Sequence, residues 1–257
     1  MAMVTAERQQ QILKLIEQKN SVSVSELAKL LDVSDMTIRR DLRILSSRGL
    51  LERVHGGALS RRGRSYEPPF PSRVAEQVRQ KELIGLSAAA LVQEGDSVAL
   101  DVGTTTLEIA KVLAKTPNLT VVTASLPIAN ILSLSPNLRL ILTGGIVRNQ
   151  ELSLIGHIAE RTYAEFRVDK AFVGVGGLHP EAGLSDYNLE DTLVKKVMIA
   201  NADQVIVVAD SSKLGETCFA TIGPLSMVDT LVTDAAAPPE IVERLRSGGI
   251  EVILAQE

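Results

Sequence analysis

Apolar positions along this chain fall into two textures. From Thr5 to Leu50 they recur every three or four residues, and beyond Gly95 they gather in short β-branched runs separated by amphipathic stretches. In the first part Ile12, Leu15 and Ile16 predict a helix over Thr5 to Gln18. Ser23-Val24-Ser25-Glu26 has the Ser-x-x-Glu form of a capping box, and Leu27, Leu30 and Leu31 predict a second helix behind it. After a brief turn at Asp32-Val33, a third helix starts at Ser34, where an N-cap belongs, and stops at Gly49. Its Ile38, Leu42 and Leu45 share one face, while Arg40, Arg43 and Ser47 lie opposite with Thr37 and Arg39 at the flanks. Helices two and three, joined by a tight turn, have the helix-turn-helix layout. Two extended pieces around a double Gly, Leu50 to Val54 and His55 to Leu59, predict a β-hairpin wing.

Ser72 to Leu91 returns to a long helical pattern through Val74, Val78, Ile84 and Ala88-Ala89-Ala90. Strands are then predicted at 97–101, 119–123, 138–142, 170–175, 204–209, 230–233 and 251–254, with helices between them. Such alternation implies a largely parallel sheet covered on both faces, because crossover connections place helices there. Arg61-Arg62-Gly63-Arg64 followed by Glu67-Pro68-Pro69-Phe70-Pro71 reads as a linker. The expected organisation is a winged helix-turn-helix over 1–60, a linker over 61–71 and an α/β domain over 72–257.

Charge sharpens this division. The whole chain carries a net charge of −4, yet residues 1–64 hold 12 Lys+Arg against 7 Asp+Glu, a net of +5, which leaves −9 for the remainder. A basic N-terminal module suits a polyanion and the acidic body does not. An Arg-bearing helix with a buried stripe also fits a plain solvated surface helix, and Arg53 also fits a solvated hairpin charge. In the winged context the helix enters a major groove, where Arg pairs bidentately with guanine. Arg53 and His55 then meet phosphate or the minor groove from the wing, and Asp41 orients a guanidinium. The start is polar and no segment approaches the roughly 20 apolar residues of a membrane span, so the expected location is the cytoplasm. Cys218 is the single cysteine and reads as a packing residue.

In a parallel sheet the ligand site lies outside the carboxyl ends of the strands. Asp101-Val102-Gly103-Thr104-Thr105-Thr106 leads from a strand into a helix, where N–H groups and hydroxyls make a cradle for an anion, although a turn that merely caps its helix has the same residues. Thr123-Ala124-Ser125, Thr143-Gly144-Gly145, Gly174-Val175-Gly176-Gly177 and Asp210-Ser211-Ser212-Lys213 follow other strands. Lys213 supplies charge to a phosphate, and Asp101 or Asp210 accepts from sugar hydroxyls. No P-loop and no full dinucleotide fingerprint is present, the three His have no metal-ligand spacing, and no Ser-His-acid triad stands out.

Across essentially the whole chain these residues resemble the DeoR family of sugar-responsive bacterial transcriptional repressors. Carrying the resemblance are Ser34, Thr37-Ile38-Arg39-Arg40-Asp41-Leu42 and Arg53-Val54-His55-Gly56-Gly57-Ala58 in the first part. In the second they are Asp101 to Thr106, Asp169-Lys170-Ala171-Phe172-Val173-Gly174, Lys195 to Met198 and Asp210 to Lys213. Two positions depart: Ala124 stands before Ser125 where Asn is usual, and Asp191-Thr192 follows Glu190 where Glu-Ala is usual. The resemblance implies a Rossmann-like α/β sensor domain similar in fold to ribose-5-phosphate isomerase, a phosphorylated sugar or related metabolite as effector, and release from a double-stranded operator on binding it. The DNA-reading set is then Ser34, Asp35, Thr37, Arg39, Arg40, Arg43, Arg53 and His55. The effector set is Asp101, Gly103, Thr104, Thr105, Thr106, Ser125, Gly144, Gly145, Gly174, Gly176, Glu190, Lys195, Asp210 and Lys213. No cofactor, metal, catalytic residue or membrane contact is expected, and a homodimer or homotetramer is. Two rival functions are an isomerase-like enzyme with a DNA-binding appendage, using Glu190, Asp191 and Lys213, and an adaptor that binds protein through its basic face.

Overall fold

The computed structural model describes residues 5–19, 21–54, 56–59 and 63–256. They form two compact units, Met1–Pro68 and Pro69–Glu257.

The first unit contains α1 (Thr5–Lys19), β1 (Ser21–Ser23), α2 (Val24–Leu30), α3 (Asp35–Ser47), β2 (Glu52–Val54) and β3 (Gly57–Leu59). Ile12, Leu27, Ile38, Leu42 and Leu45 are buried together, which is why the three-and-four spacing holds all three helices on one core. Both N-caps behave as the sequence predicts, with Ser23 accepting from the Glu26 N–H and Ser34 from the Thr37 N–H. At the far end of α3 the Gly49 and Leu50 N–H groups reach back to Ser46 and Leu45, closing the helix with the paired bonds of a Schellman motif. The wing has a strand that the hydrophobic pattern does not show: β1 pairs with β3, which pairs with β2. That pairing needs Gly57, because a Cβ there would lie 2.2 Å from the Val22 carbonyl oxygen.

The second unit opens with α4 (Phe70–Ala75) and α5 (Val78–Ala89), in place of one long helix, so the last two residues of the expected linker are already helical. The break has a physical cause outside the pattern. Buried Lys81 donates to the carbonyls of Arg73 and Glu76, satisfying the end of α4. The chain continues through β4 (Ser97–Leu100), α6 (Thr104–Leu113), β5 (Leu119–Thr123), α7 (Leu126–Leu132) and β6 (Leu138–Leu142). A small hairpin, β7 (Ile146–Arg148) and β8 (Ser153–Ile155), precedes α8 (His157–Ala164) and β9 (Val168–Gly174). Then come β10 (Gly177–His179), β11 (Gly183–Asp186), α9 (Leu189–Ala200), β12 (Ala202–Val208), β13 (Ala220–Gly223), β14 (Thr230–Asp234), α10 (Pro239–Ser247) and β15 (Glu251–Ala255).

Seven strands form one parallel sheet in the order β15-β14-β12-β9-β4-β5-β6. Alternate residues serve opposite faces: Ala99, Ala171, Val173, Val205, Val207 and Leu231 enter one core, while Val98, Leu100, Phe172, Ile206, Val208 and Val232 enter the other. Helices α5 to α7 contribute Ile84, Ile109 and Ile128 to the second core, and α8 to α10 contribute Ala159, Val194, Met198 and Leu245 to the first. From β4 the chain proceeds outward to β5 and β6, then returns to the other side of β4 as β9. The strand order therefore reverses between β4 and β9, and in open parallel sheets such a reversal at the carboxyl ends is where ligands bind. The remaining short strands, β10, β11 and β13, make a separate antiparallel sheet beside it. No helix among the described residues is long and apolar enough to cross a membrane.

Candidate functional site

In the first unit α3 turns its arginines outward. Arg39, Arg40 and Arg43 are exposed, as are Ser34 and Asp35 at the helix start, and Thr37 is half-buried with its hydroxyl 2.9 Å from that of Ser34. Arg53 on β2 is also exposed, and it lines one cleft with Arg39, Leu42, Val54 and Gly56. The fold thus gathers helix and wing cations on one side. His55 lies outside the described residues, as do Arg61 and Arg62. Asp41 departs from expectation: it is buried on the core side of α3 and accepts from Arg8 Nε at 2.6 Å and Gln9 Nε2 at 3.0 Å. It orients no arginine of the exposed face and instead ties α3 to α1, because its i−3 and i+4 neighbours Ile38 and Leu45 put it on the buried stripe.

In the second unit the strand-order reversal brings Asp101, at the end of β4, against Gly174, at the end of β9. The Gly174 N–H donates to Asp101 Oδ2 at 2.9 Å. Lys195 reaches the same point from α9. Its ammonium lies 2.8 Å from Asp101 Oδ2 and donates to Asp186 Oδ2 at 2.5 Å and the Gly174 carbonyl at 2.5 Å. Three donors meet three acceptors, so Lys195, 1% exposed, is an internal tie. Burial pushes Asp101 up to about 6 against the pull of Lys195. Burial alone would lower Lys195, but Asp101 and Asp186 outweigh it and hold its pKa above the ordinary lysine value. Asp186 is a member that sequence reading missed.

Gly103 precedes α6 with φ +131, a backbone conformation that side chains rarely adopt, and α6 has no side-chain N-cap. Its first turn therefore presents backbone N–H groups at the reversal point, beside buried Thr104 and Thr106 and half-buried Thr105. The Thr106 hydroxyl is occupied with the Gly103 carbonyl at 3.0 Å. Two strands across, Asp210 caps a short turn by accepting from the Ser212 N–H and hydroxyl, and Lys213 follows. Lys213 Nζ lies 3.4 Å from the Tyr187 hydroxyl. Burial would lower its pKa, but Tyr187 and Asp210 hold it above the ordinary value, so it is charged near neutrality. Lys81 and Arg73 stand close enough to act on it electrostatically, two cations absent from the sequence-derived set.

Other expected site residues hold the frame. Ser125 is buried and caps α7 by accepting from the Ile128 N–H. Gly144 and Gly145 form the turn from β6 toward β7, and Gly176 packs against Cys218 and Tyr187. Glu190 is exposed in the first turn of α9, whereas its neighbour Asp191 is buried, accepting from Ser153 Oγ at 2.7 Å and pairing with Arg148 at 2.6 Å. Burial pushes the Cys218 thiol up to about 11, which removes it as a nucleophile near neutrality. Among the described residues no cluster of acids, His and Cys is arranged to hold a metal ion.

Exposed arginines on the third helix of a winged helix-turn-helix, and cations near the strand-order reversal of an α/β sheet, are the features a DNA-binding transcriptional regulator with a sensor domain would need. Comparison with known proteins makes this definite. A DeoR-like helix-turn-helix domain matches residues 8–63 and a DeoR C-terminal sensor domain residues 76–235. An uncharacterized HTH-type transcriptional regulator of Bacillus subtilis, YulB, is 39% identical over 97% of this chain and 96% of its own length. The putative aga operon transcriptional repressor of Escherichia coli O157:H7 is 35% identical over 98% and 95%. For the glycerol-3-phosphate regulon repressor of Escherichia coli K12 the identity is 33% over 98% and 100%. The chain belongs to the DeoR family. Ribose 5-phosphate isomerase A of Methanocaldococcus jannaschii overlays 52% of the chain and 53% of its own, with a TM-score of 0.40 and 18% identity, from which no activity of this chain follows.

Proposed function

We propose that this protein is an operator-binding repressor whose sensor unit takes a phosphorylated sugar or a related metabolite at the reversal between β4 and β9, and that this ligand lowers its affinity for DNA. The observation that carries the proposal is the uncapped N-terminus of α6, opened by Gly103, with the charged Lys213 on the same strand-end rim. Neighbouring strands are about 4.8 Å apart, so from β4 across β9 to β12 these groups are spaced for one small molecule. Helix N–H groups and an ammonium suit a phosphate dianion. In this reading Asp101 and Asp210 border the bound sugar, each already engaged, by Lys195 and by Ser212.

The site is a sensor and no catalyst. Its acids are engaged in place, Asp101 and Asp186 by Lys195 and Asp191 by Arg148 and Ser153, while Glu190 is exposed away from them. We read these acids as holding neighbouring groups in place rather than as moving a proton in a reaction. On DNA, Arg39, Arg40 and Arg43 read the major groove from α3, with Ser34, Asp35 and Thr37 at its entering end and Arg53 and His55 on the wing. Copies paired in a homodimer or homotetramer would present two such helices to half-sites about 34 Å apart.

Duplexes selected from a random library by the full-length protein supply the probe for the test. Anisotropy titrations at fixed salt then compare glucose 6-phosphate, fructose 1-phosphate, ribose 5-phosphate and glycerol 3-phosphate with the unphosphorylated compounds. At least one phosphorylated compound should weaken duplex binding about tenfold or more, with its free counterpart inert. Equal effects from both, or none from any, would refute the proposal.

A further inference from the structure

Helix α4 buries none of its residues, yet ions fasten it on two sides. Lys81, 6% exposed, donates to its last carbonyls, Arg73 O at 2.5 Å and Glu76 O at 2.8 Å. Arg73 reaches from α4 to the Glu151 carboxylate, in the turn between β7 and β8. Glu151 is only 3% exposed, a depth that glutamates in hairpin turns rarely reach. Each partner lies near a non-glycine residue in the left-handed region: Leu152 at φ +58 follows Glu151, and Gln77 at φ +50 separates α4 from α5. Such conformations persist only where the surroundings hold them. Arg73 and Lys213 repel electrostatically, as do Lys213 and Lys81, so three cations crowd one rim near Asp210.

We infer that the Arg73–Glu151 pair is exchangeable: the anionic group of the ligand takes Arg73 from Glu151, and the tip of the β7–β8 hairpin lets go of α4. The inference rests on the function proposed above, which puts an anion beside Lys213. A phosphate brings a charge of about −1.5 to −2 and three acceptor oxygens, against a single charge on Glu151. The Arg fork fits either one, and crowded cations favour the larger counter-charge. Deprived of Arg73, the Glu151 carboxylate is a buried charge without its counter-ion, and moving into water relieves it. The turn at Leu152 relaxes in the same direction. Because α4 is the first helix after Pro68-Pro69, the exchange changes what fastens the leading end of the second unit to its own β7–β8 hairpin.

Calorimetry on the full chain tests this, with inorganic phosphate, glucose 6-phosphate, fructose 1-phosphate, ribose 5-phosphate and glycerol 3-phosphate as probes and the tightest binder carried forward. Glu151→Gln removes the internal competitor and should bind that probe about tenfold tighter, whereas Arg73→Gln should bind it about tenfold more weakly. With Arg73 already replaced, Glu151→Gln should have no effect. Unchanged or weaker binding by Glu151→Gln, or effects that add independently, overturns the exchange. Hydrogen exchange at 149–152 in the wild type, which needs no substitution to fold, should accelerate on adding the probe, and slower exchange overturns the inference. Lys213→Gln separates the two levels. If that substitution abolishes binding while Glu151 and Arg73 prove indifferent, the exchange is wrong and the sensor function stands; a wild type that binds none of the probes overturns both.

Discussion

Replacing Lys195 with Met keeps the length and volume of the side chain but removes its ammonium from between Asp101 and Asp186. Both carboxylates face it within 2.8 Å, and Lys195 is 1% exposed, so no water stands ready to take its place. Breaking a buried ion pair from one side costs about 3 to 5 kcal/mol. For a unit of this size each kcal/mol lowers Tm by about 2 to 4 °C, which predicts a loss of about 6 to 20 °C. The pH dependence has a defined sign. Folded Asp101 titrates near 6 against an ordinary 3.8, so it favours the folded state at low pH and that contribution is lost as pH rises through 6. Without the ammonium its pKa climbs further, and the penalty at alkaline pH grows. Scanning calorimetry should therefore find the Tm deficit of Lys195→Met larger near pH 8 than near pH 5. A deficit under about 2 °C near pH 8, or one equal at both values, would refute the tie described for Lys195.

Other substitutions separate the parts. Arg40→Ala, at an exposed position on α3, should weaken binding to the selected duplex by about 1 to 3 kcal/mol with an unchanged circular dichroism spectrum. Asp41→Ala should also weaken DNA binding, but through lost helix packing, seen as a loss of about 2 kcal/mol in the unfolding free energy of the first unit, at a residue 2% exposed. Gly57→Ala should disrupt the pairing of β1 with β3, since the new methyl meets the Val22 carbonyl at 2.2 Å; amide exchange at 21–23 should accelerate. Gly103→Ala, at φ +131, should weaken phosphorylated-ligand binding by about 1 to 3 kcal/mol while leaving duplex affinity unchanged, as calorimetry and anisotropy would show.

Much of the fold could be read where residues act on their sequence neighbours. Ile38, Leu42 and Leu45 face one core, Ser23 and Ser34 cap their helices, and the β-branched runs are strands because the sheet is buried on both faces. The hairpin of β7 and β8, and the sheet of β10, β11 and β13, consist of strands of three or four residues, too short for a period to register. Partnerships between distant elements were less accessible. Asp186 and Lys195, and Arg73 and Glu151, come together only once the chain is folded, and the break between α4 and α5 depends on Lys81. One signal does point to them. Asp41, Lys81 and Lys195 all lie on the buried stripe of a helix, three or four residues from Leu45, Ile84 and Met198 or Ile199, where a charge survives only if another element supplies its partner. The Gly103 turn into α6, the proposed anion cradle, was visible because its residues are consecutive, whereas the cations across the rim come from α4, α5 and the turn after β12.

One molecule bound at this rim is proposed to decide whether α3 stays on DNA. The most direct measurement is anisotropy of the selected duplex with full-length protein, titrated with the best phosphorylated compound, for the wild type and for the double variant Thr105→Val/Lys213→Gln. The wild type should release the duplex at ligand concentrations matching its calorimetric Kd, and the double variant should bind the duplex equally well and not let go. Ligand binding that leaves duplex affinity unchanged, or a double variant that releases as the wild type does, would contradict it.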